Sequence, residues 1–147
     1  MSYGPEVLDR LRALCEADPE REVCGFVVRR ADALEVVAVP NVADRYHAHD
    51  PRAFPRTSRD SYLMEPRAQL RVHEELAATG GEIAAVWHSH VEVGAYFSAK
   101  DRDDAIVDGA PLLPGAEYLV LGVRRGRVDE VRCYRFEDGE FVETPLS

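Results

Sequence analysis

The chain has 147 residues, of which 46% are hydrophobic, and its 18 basic and 27 acidic side chains give a formal net charge of −9. That length predicts one domain, residues 1–147, with a real hydrophobic core, and the ordinary apolar content argues against a disordered chain. The acidic balance argues against nucleic acid as a partner, and no apolar run is long enough to span a bilayer, so no membrane partner is expected either.

The first residues, Met1 to Glu6, contain no basic segment followed by an apolar stretch, so no signal peptide is expected. Cys15, Cys24 and Cys133 are odd in number and lack C-x-x-C spacing. That pattern suits reduced, mostly buried thiols in a cytoplasmic protein.

Pro5 suits a first helical position, and Val7, Leu8, Leu11, Leu14 and Cys15 form one apolar stripe of a helix that ends at Asp18-Pro19. Val23–Val28 and Leu34–Val39 are rich in β-formers and flank a break at Ala31-Asp32, which reads as a hairpin. The first run is almost continuously apolar and is expected to be covered on both faces. Asn41 to Asp60 shows no periodicity and carries Pro51, Pro55 and four arginines, so a long loop is expected, of the kind that in a compact domain is functional or mobile.

Ser61–Met64 reads as a short strand, and Pro66 opens a helix that runs through Thr79 to the stop at Gly80-Gly81. Glu82–Trp87 is a strand, Ser98–Val107 a helix ended by Asp108-Gly109, and Pro111 and Pro114 mark a loop. Glu117–Val123 and Val128–Phe136 form a second hairpin through Arg124-Arg125-Gly126-Arg127, with an edge strand at Glu140–Val142. The element order predicts an α/β sheet with helices packed on it.

The chemistry concentrates between Val86 and Asp101. His88 and His90 stand one residue apart at the end of a strand, where alternation points both imidazoles to the same face. Their flanks are apolar, and burying two imidazoles without partners is costly, whereas one metal ion accounts for both. Ser98 and Asp101 lie i, i+3 on one side of a helical first turn. Two histidines and a carboxylate leave a fourth position open for water, as at catalytic zinc sites.

Each signal has a plainer rival. An H-x-H also occurs as two polar residues at a strand end, and S-x-x-D before a helix is the capping-box pattern, in which Ser98 and Asp101 touch only backbone. A second H-x-H at His47 and His49 sits in the long loop, where a solvated role is the better account because no rigid element fixes ligand geometry. Glu22, at the entrance of an apolar strand, is the candidate general base for a metal-activated water. Its rival is a solvated glutamate in Pro19-Glu20-Arg21-Glu22.

Glu22, His88-Ser89-His90, the seven residues to Ser98 and the two more to Asp101 together resemble the JAMM (MPN+) zinc metalloprotease motif, E…H-x-H-x7-S-x2-D. Glu22-Val23-Cys24-Gly25-Phe26, Asn41-Val42-Ala43 and Tyr62–Pro66 are also laid out as in small bacterial members, so nearly the whole chain is covered. The resemblance implies Zn2+ held by His88, His90 and Asp101, Glu22 as general base and then acid, and Ser98 supporting the developing oxyanion. It further implies a cytidine-deaminase-like sheet flanked by helices. The implied activity is hydrolysis of an amide bond at or near the C-terminus of a ubiquitin-like or sulfur-carrier protein.

The sequence departs from the family where many members have proline, at Val91 after the second histidine and at Phe97 before the serine. Neither position is a ligand, so loop shape and substrate fit are affected rather than the chemistry. Arg45, Arg52, Arg56 and Arg59 of the long loop are candidate contacts for an acidic partner. Alternatives kept open are a peptidase on cell-wall or phage-tail-type peptides, a non-catalytic MPN-like scaffold, and assembly as a homodimer. A deaminase is the weakest alternative, because its Cys-x-x-Cys pair is absent.

Overall fold

A computed structural model describes residues 3–146. Six strands form one sheet in the order β2-β1-β3-β6-β7-β8. These are β1 (Cys24–Arg30), β2 (Ala33–Val39), β3 (Glu82–Val91), β6 (Glu117–Arg124), β7 (Arg127–Glu137) and β8 (Glu140–Thr144). Between β3 and β6, β4 (Ile106–Val107) and β5 (Ala110–Pro111) form a separate two-stranded ribbon. Only β3 and β6 run parallel, and every other neighbouring pair in the large sheet is antiparallel.

Among the described residues there are four helices, α1 (Gly4–Ala17), α2 (Ala43–His49), α3 (Pro66–Thr79) and α4 (Ala99–Ala105). The expected stripe of α1 buries Val7, Leu11 and Cys15 against Val27, Trp87, Leu119 and Leu121 on one face. On the other face Leu76 of α3 and Ala105 of α4 pack with Phe26, Val86, Val120 and Tyr118. The central strands are therefore covered on both sides, and β1 is buried from Cys24 to Val28, as its continuous apolar run predicts.

Local chemistry explains most element boundaries. Pro5 and Pro66 stand in the first turns of α1 and α3, and Gly80 closes α3 in the left-handed conformation with φ of 76°. The β6–β7 turn places Arg125 and Gly126 both at positive φ, the geometry of a tight two-residue hairpin. Cys15, Cys24 and Cys133 are all free and buried. Among the described residues no helix is long and apolar enough to cross a membrane.

Three boundaries differ from the sequence reading. The segment expected to be wholly irregular contains α2, whose polar residues hide it because only Ala43 is buried. Ser61–Met64 makes no strand of its own; Met64 forms a single bridge to Asn41. The helix expected to reach Val107 stops at Ala105, where Ile106 turns extended and enters the small ribbon with Pro111.

Gly25 sits where β1, β2 and Trp87 close upon one another. An added Cβ would lie 2.0 Å from the Val37 carbonyl oxygen and 2.9 Å from the Trp87 ring. Trp87 itself is fully buried and donates its indole N–H to the Phe26 carbonyl at 3.2 Å, so it is core. Gly25→Ala must push backbone apart rather than a flexible side chain, and should destabilise by about 3 kcal/mol or more. Urea unfolding of the two proteins measures this directly.

Candidate active site

The site lies at the C-terminal end of the parallel pair β3–β6, where open sheets commonly place ligands. Val86, His88 and His90 share the face of β3 that looks toward α4, by the alternation expected of a strand. His88 is fully buried and His90 nearly so. Its Tyr62 neighbour stacks on His88 with ring centroids 4.5 Å apart, and Tyr96 meets His90 edge-on at 4.8 Å.

The crossover from β3 brings Asp101 to these rings. Ser98 caps α4 with Oγ accepting the Asp101 N–H at 3.0 Å, and Asp101 Oδ2 accepts the Ser98 N–H at 2.9 Å. The capping box is therefore real. The same carboxylate also faces both histidines, with Oδ1 3.3 Å from His88 Nε2 and Oδ2 3.3 Å from His90 Nε2. Cap and cluster are two functions of one side chain, not competing accounts of it.

One ligand-capable atom from each of His88, His90 and Asp101 lies within 4.8 Å of the others. His90 Nδ1 is 2.9 Å from the Gly94 carbonyl, so that nitrogen carries the proton and Nε2 presents a lone pair to the cluster. Despite complete burial, His88 Nδ1 has no hydrogen-bond partner, and Nε2 meets only the Asp101 carboxylate at 3.3 Å in a geometry too poor for a good hydrogen bond. Burial holds the His88 imidazole pKa below its usual value, with Asp101 partly opposing that effect. A neutral imidazole that lacks a full set of partners is a good donor for a borderline divalent cation, and the three residues fit a metal ion.

Glu22 is buried, contrary to the solvated alternative. Its backbone is held from three sides: Glu22 N–H donates to the Ser58 carbonyl at 2.6 Å, Asn41 Nδ2 donates to the Glu22 carbonyl at 2.8 Å, and Ser89 Oγ accepts the Val23 N–H at 2.9 Å. Burial, and then the charge of Asp101, push the Glu22 carboxyl up to about 9. Asp101 behaves oppositely. Burial alone would raise its pKa, but contacts from His88 and His90 and the Ser98 N–H outweigh that and hold it well below the usual carboxylate range.

Glu22, Ser98, His90 and Asp101 line one cleft of about 150 Å³, with Tyr62 and Lys100 in its wall. Beyond that wall opens a groove of about 750 Å³ lined by apolar side chains including Phe26, Tyr46, Phe54, Met64 and Leu112. The structure thus brings together all five sequence-predicted site residues: Glu22, His88, His90, Ser98 and Asp101. His47 and His49 stand apart on α2, with His47 Nδ1 2.8 Å from the Phe54 carbonyl.

Several supporting residues escaped the sequence reading. Ser89 points away from its histidine neighbours by strand alternation, yet pins the segment carrying Glu22. Asn41 links that segment to Ser61, whose carbonyl it reaches at 3.0 Å. Glu130 and Tyr134 of β7 hold the loop after His90, accepting the Ala95 N–H at 2.6 Å and donating to the Ala95 carbonyl at 2.7 Å. Ser89 carried a signal in its place inside H-x-H, and Asn41 in the family-like segment Asn41-Val42-Ala43. The others depend on contacts between distant parts of the chain. Cys24, beside His88 in register, donates its thiol to the Val39 carbonyl at 3.4 Å, and burial pushes it up to about 12.

A mixed sheet carrying two strand histidines and a capping aspartate, which together could hold a metal ion, defines an α/β domain of the JAB type. The chain belongs to the family of prokaryotic homologs of the JAB domain, whose model matches residues 4–137. It is similar to the CysO-cysteine peptidase of Mycobacterium tuberculosis, 28% identical over 116 residues that cover 79% of this chain and 75% of that protein. A desampylase of Haloferax volcanii is 29% identical over 114 residues, 78% of this chain and 71% of that one. Two proteins solved in solution share the fold. One, from Desulfitobacterium hafniense, has a TM-score of 0.70 at 18% identity and covers 97% of this chain and 88% of its own. The other, from Salinibacter ruber, has a TM-score of 0.62 at 23% identity and covers 99% and 90%.

The Glu22 shift has a defined consequence for the metal-free protein. A carboxyl whose folded pKa is raised from 4.5 to about 9 contributes stability that is fully present below the unfolded value and is lost as pH rises through the folded one. Glu22→Gln cannot ionise. The variant should therefore gain on the wild type as pH rises from about 5 to about 9, measured as denaturation midpoints without metal.

Proposed function

We propose that this protein is a zinc-dependent metallopeptidase that hydrolyses an amide bond at or near the C-terminus of a ubiquitin-like or sulfur-carrier protein. The observation that carries this reading is His88, fully buried with Nδ1 unpartnered and Nε2 facing only the Asp101 carboxylate at 3.3 Å, beside His90. Such a cluster stands in the same cleft as a buried carboxyl, Glu22, which is the combination that metal-assisted hydrolysis needs. Membership of the JAB family and similarity to a CysO-cysteine peptidase support peptide-bond hydrolysis as the reaction. The family resemblance supports the substrate class.

His88, His90 and Asp101 would hold the ion, with His90 oriented by the Gly94 carbonyl and His88 by the face of Tyr62. When bound, zinc supplies the Lewis acidity that makes water a nucleophile near neutral pH and polarises the scissile carbonyl. Burial raises the Glu22 pKa, Lys100 and Arg56 lower it only in part, and a bound cation would further favour its ionised form.

Glu22 then takes the proton of the attacking water and delivers it to the leaving nitrogen as the carbon–nitrogen bond breaks. Ser98 Oγ accepts the Asp101 N–H, and its O–H donates to the carbonyl oxygen as negative charge develops. The products are a C-terminal carboxylate on the carrier and a free amine.

The test pairs zinc content with cleavage of carrier-protein fusions. Wild type should bind one zinc per chain and release the carrier. Glu22→Gln should keep its zinc and lose about 10²–10⁴-fold in kcat. Asp101→Ala should lose the metal as well as the activity. A Glu22→Gln protein that hydrolyses at the wild-type rate would overturn the general-base role. Wild type that takes up no zinc would favour the scaffold.

A further inference from the structure

Glu22 belongs to neither of the elements beside it. It follows α1 and precedes Cys24, the first residue of β1, so no helix or strand ladder fixes its backbone. Its N–H donates to the Ser58 carbonyl at 2.6 Å, and its carbonyl accepts from Asn41 Nδ2 at 2.8 Å. A buried side chain points where its own peptide groups are held, so these two partners set the direction of the carboxyl.

Both partners are themselves held. Asn41 uses its whole amide: Nδ2 also donates to the Ser61 carbonyl at 3.0 Å, and Oδ1 accepts the Ala43 and Leu63 N–H groups, each at 3.0 Å. Ser58 is buried, and it is gripped by one exposed carboxylate from the first turn of α2. Asp44 Oδ1 accepts the Ser58 N–H at 2.8 Å, and Asp44 Oδ2 accepts the Ser58 O–H at 2.6 Å. These contacts, the hydroxyl first, hold the Asp44 carboxyl below its usual pKa, so the clamp is ionised at neutral pH. The turn around Ser58 is closed within itself, with the Thr57 N–H on Asp60 Oδ1 at 3.1 Å and the Asp60 N–H on the Thr57 carbonyl at 3.2 Å. Asp44 therefore locates a preformed turn, and that turn carries the carbonyl on which Glu22 rests. A plainer role for Asp44 is support of α2 alone, since an acidic residue suits a helical first turn. That role needs no contact with Ser58, yet both carboxylate oxygens are committed to it.

We propose that Asp44 is a positioning residue for Glu22, acting through Ser58. The carboxylate fixes the Ser58 peptide, the Ser58 carbonyl fixes the Glu22 N–H, and the Glu22 carboxyl is thereby aimed into the cleft beside Asp101. This rests on the reading of Glu22 as general base. Asp44 is not among the described residues that line the cleft, so its effect on hydrolysis passes through Glu22. The segment between Asp44 and Ser58 also walls the apolar groove through Tyr46, Phe54 and Arg56, so kcat rather than KM reports the effect on the base.

Two measurements test this, the first without metal or substrate. In metal-free protein the Glu22 and Ser58 amides should exchange with solvent about tenfold or more faster in Asp44→Ala than in wild type, the scale of one lost charge-assisted contact. The Val86 and Trp87 amides should keep the wild-type rate. Asp44→Asn retains an acceptor oxygen for the Ser58 N–H and should restore much of the protection. In zinc-loaded protein at saturating carrier fusion, Asp44→Ala should lower kcat about tenfold or more while keeping its zinc. In the Glu22→Gln background the same substitution should change the residual kcat by less than about twofold, because the group it positions is already disabled. Unchanged exchange at Glu22, faster exchange that extends to Val86 and Trp87, loss of zinc, or an equal kcat loss in both backgrounds would overturn the positioning role and leave the hydrolase reading intact. Wild type that cleaves no carrier fusion would overturn the hydrolase reading and this role with it, even with exchange rates as expected.

Discussion

Asp101 is held by two sets of partners at once, and the rest of the site depends on that double engagement. The Ser98 N–H fixes one carboxylate oxygen at 2.9 Å, while the two imidazoles each approach an oxygen at 3.3 Å. A short helix has a weak claim to form on its own, since nucleation is costly and α4 spans only Ala99–Ala105. The reciprocal cap gives its first turn a defined start, and the defined start aims the carboxylate at β3. Local helix chemistry and cluster geometry are therefore one interaction.

The sheet supplies the other half of the arrangement. Burying His88 leaves Nδ1 without a partner and Nε2 with only the Asp101 carboxylate at 3.3 Å, an unfavourable desolvation of a polar group beside a tyrosine face. Natural interiors rarely tolerate such a group without a reason, and a metal ion supplies one. The loop from Glu92 to Phe97 shows the same economy of purpose. Its close seat on Gly122, where an added Cβ would meet the Val93 carbonyl at 3.1 Å, brings the Gly94 carbonyl to His90 Nδ1. Glu130 and Tyr134 then clamp the next peptide.

Much of this could be read from residue order, and what could be read was local. Alternation along β3 puts His88 and His90 on one face, and the i, i+3 spacing of Ser98 and Asp101 predicts the cap that the structure contains. Turn chemistry marks the β6–β7 hairpin, and the apolar continuity of β1 predicts its burial. What stayed hidden arises from segments distant in sequence. α2 has too few buried residues to show a stripe. Glu22 is buried because Ser58 and Asn41, both far along the chain, close over its backbone. Glu130 and Tyr134 belong to no local pattern at all, and Asn41 is visible only through the resemblance of Asn41-Val42-Ala43. The motif resemblance linked Glu22 to the histidines, and the fold supplies the physical means by which they share a cleft.

The central claim is that His88, His90 and Asp101 form a zinc site. Anomalous diffraction at the zinc edge, from crystals of protein loaded with one equivalent of zinc, tests it most directly. The account predicts a single strong peak bounded by His88 Nε2, His90 Nε2 and the Asp101 carboxylate, with His90 Nδ1 still on the Gly94 carbonyl. A peak elsewhere, such as beside His47 and His49, or none at the cluster in zinc-loaded crystals, would contradict it.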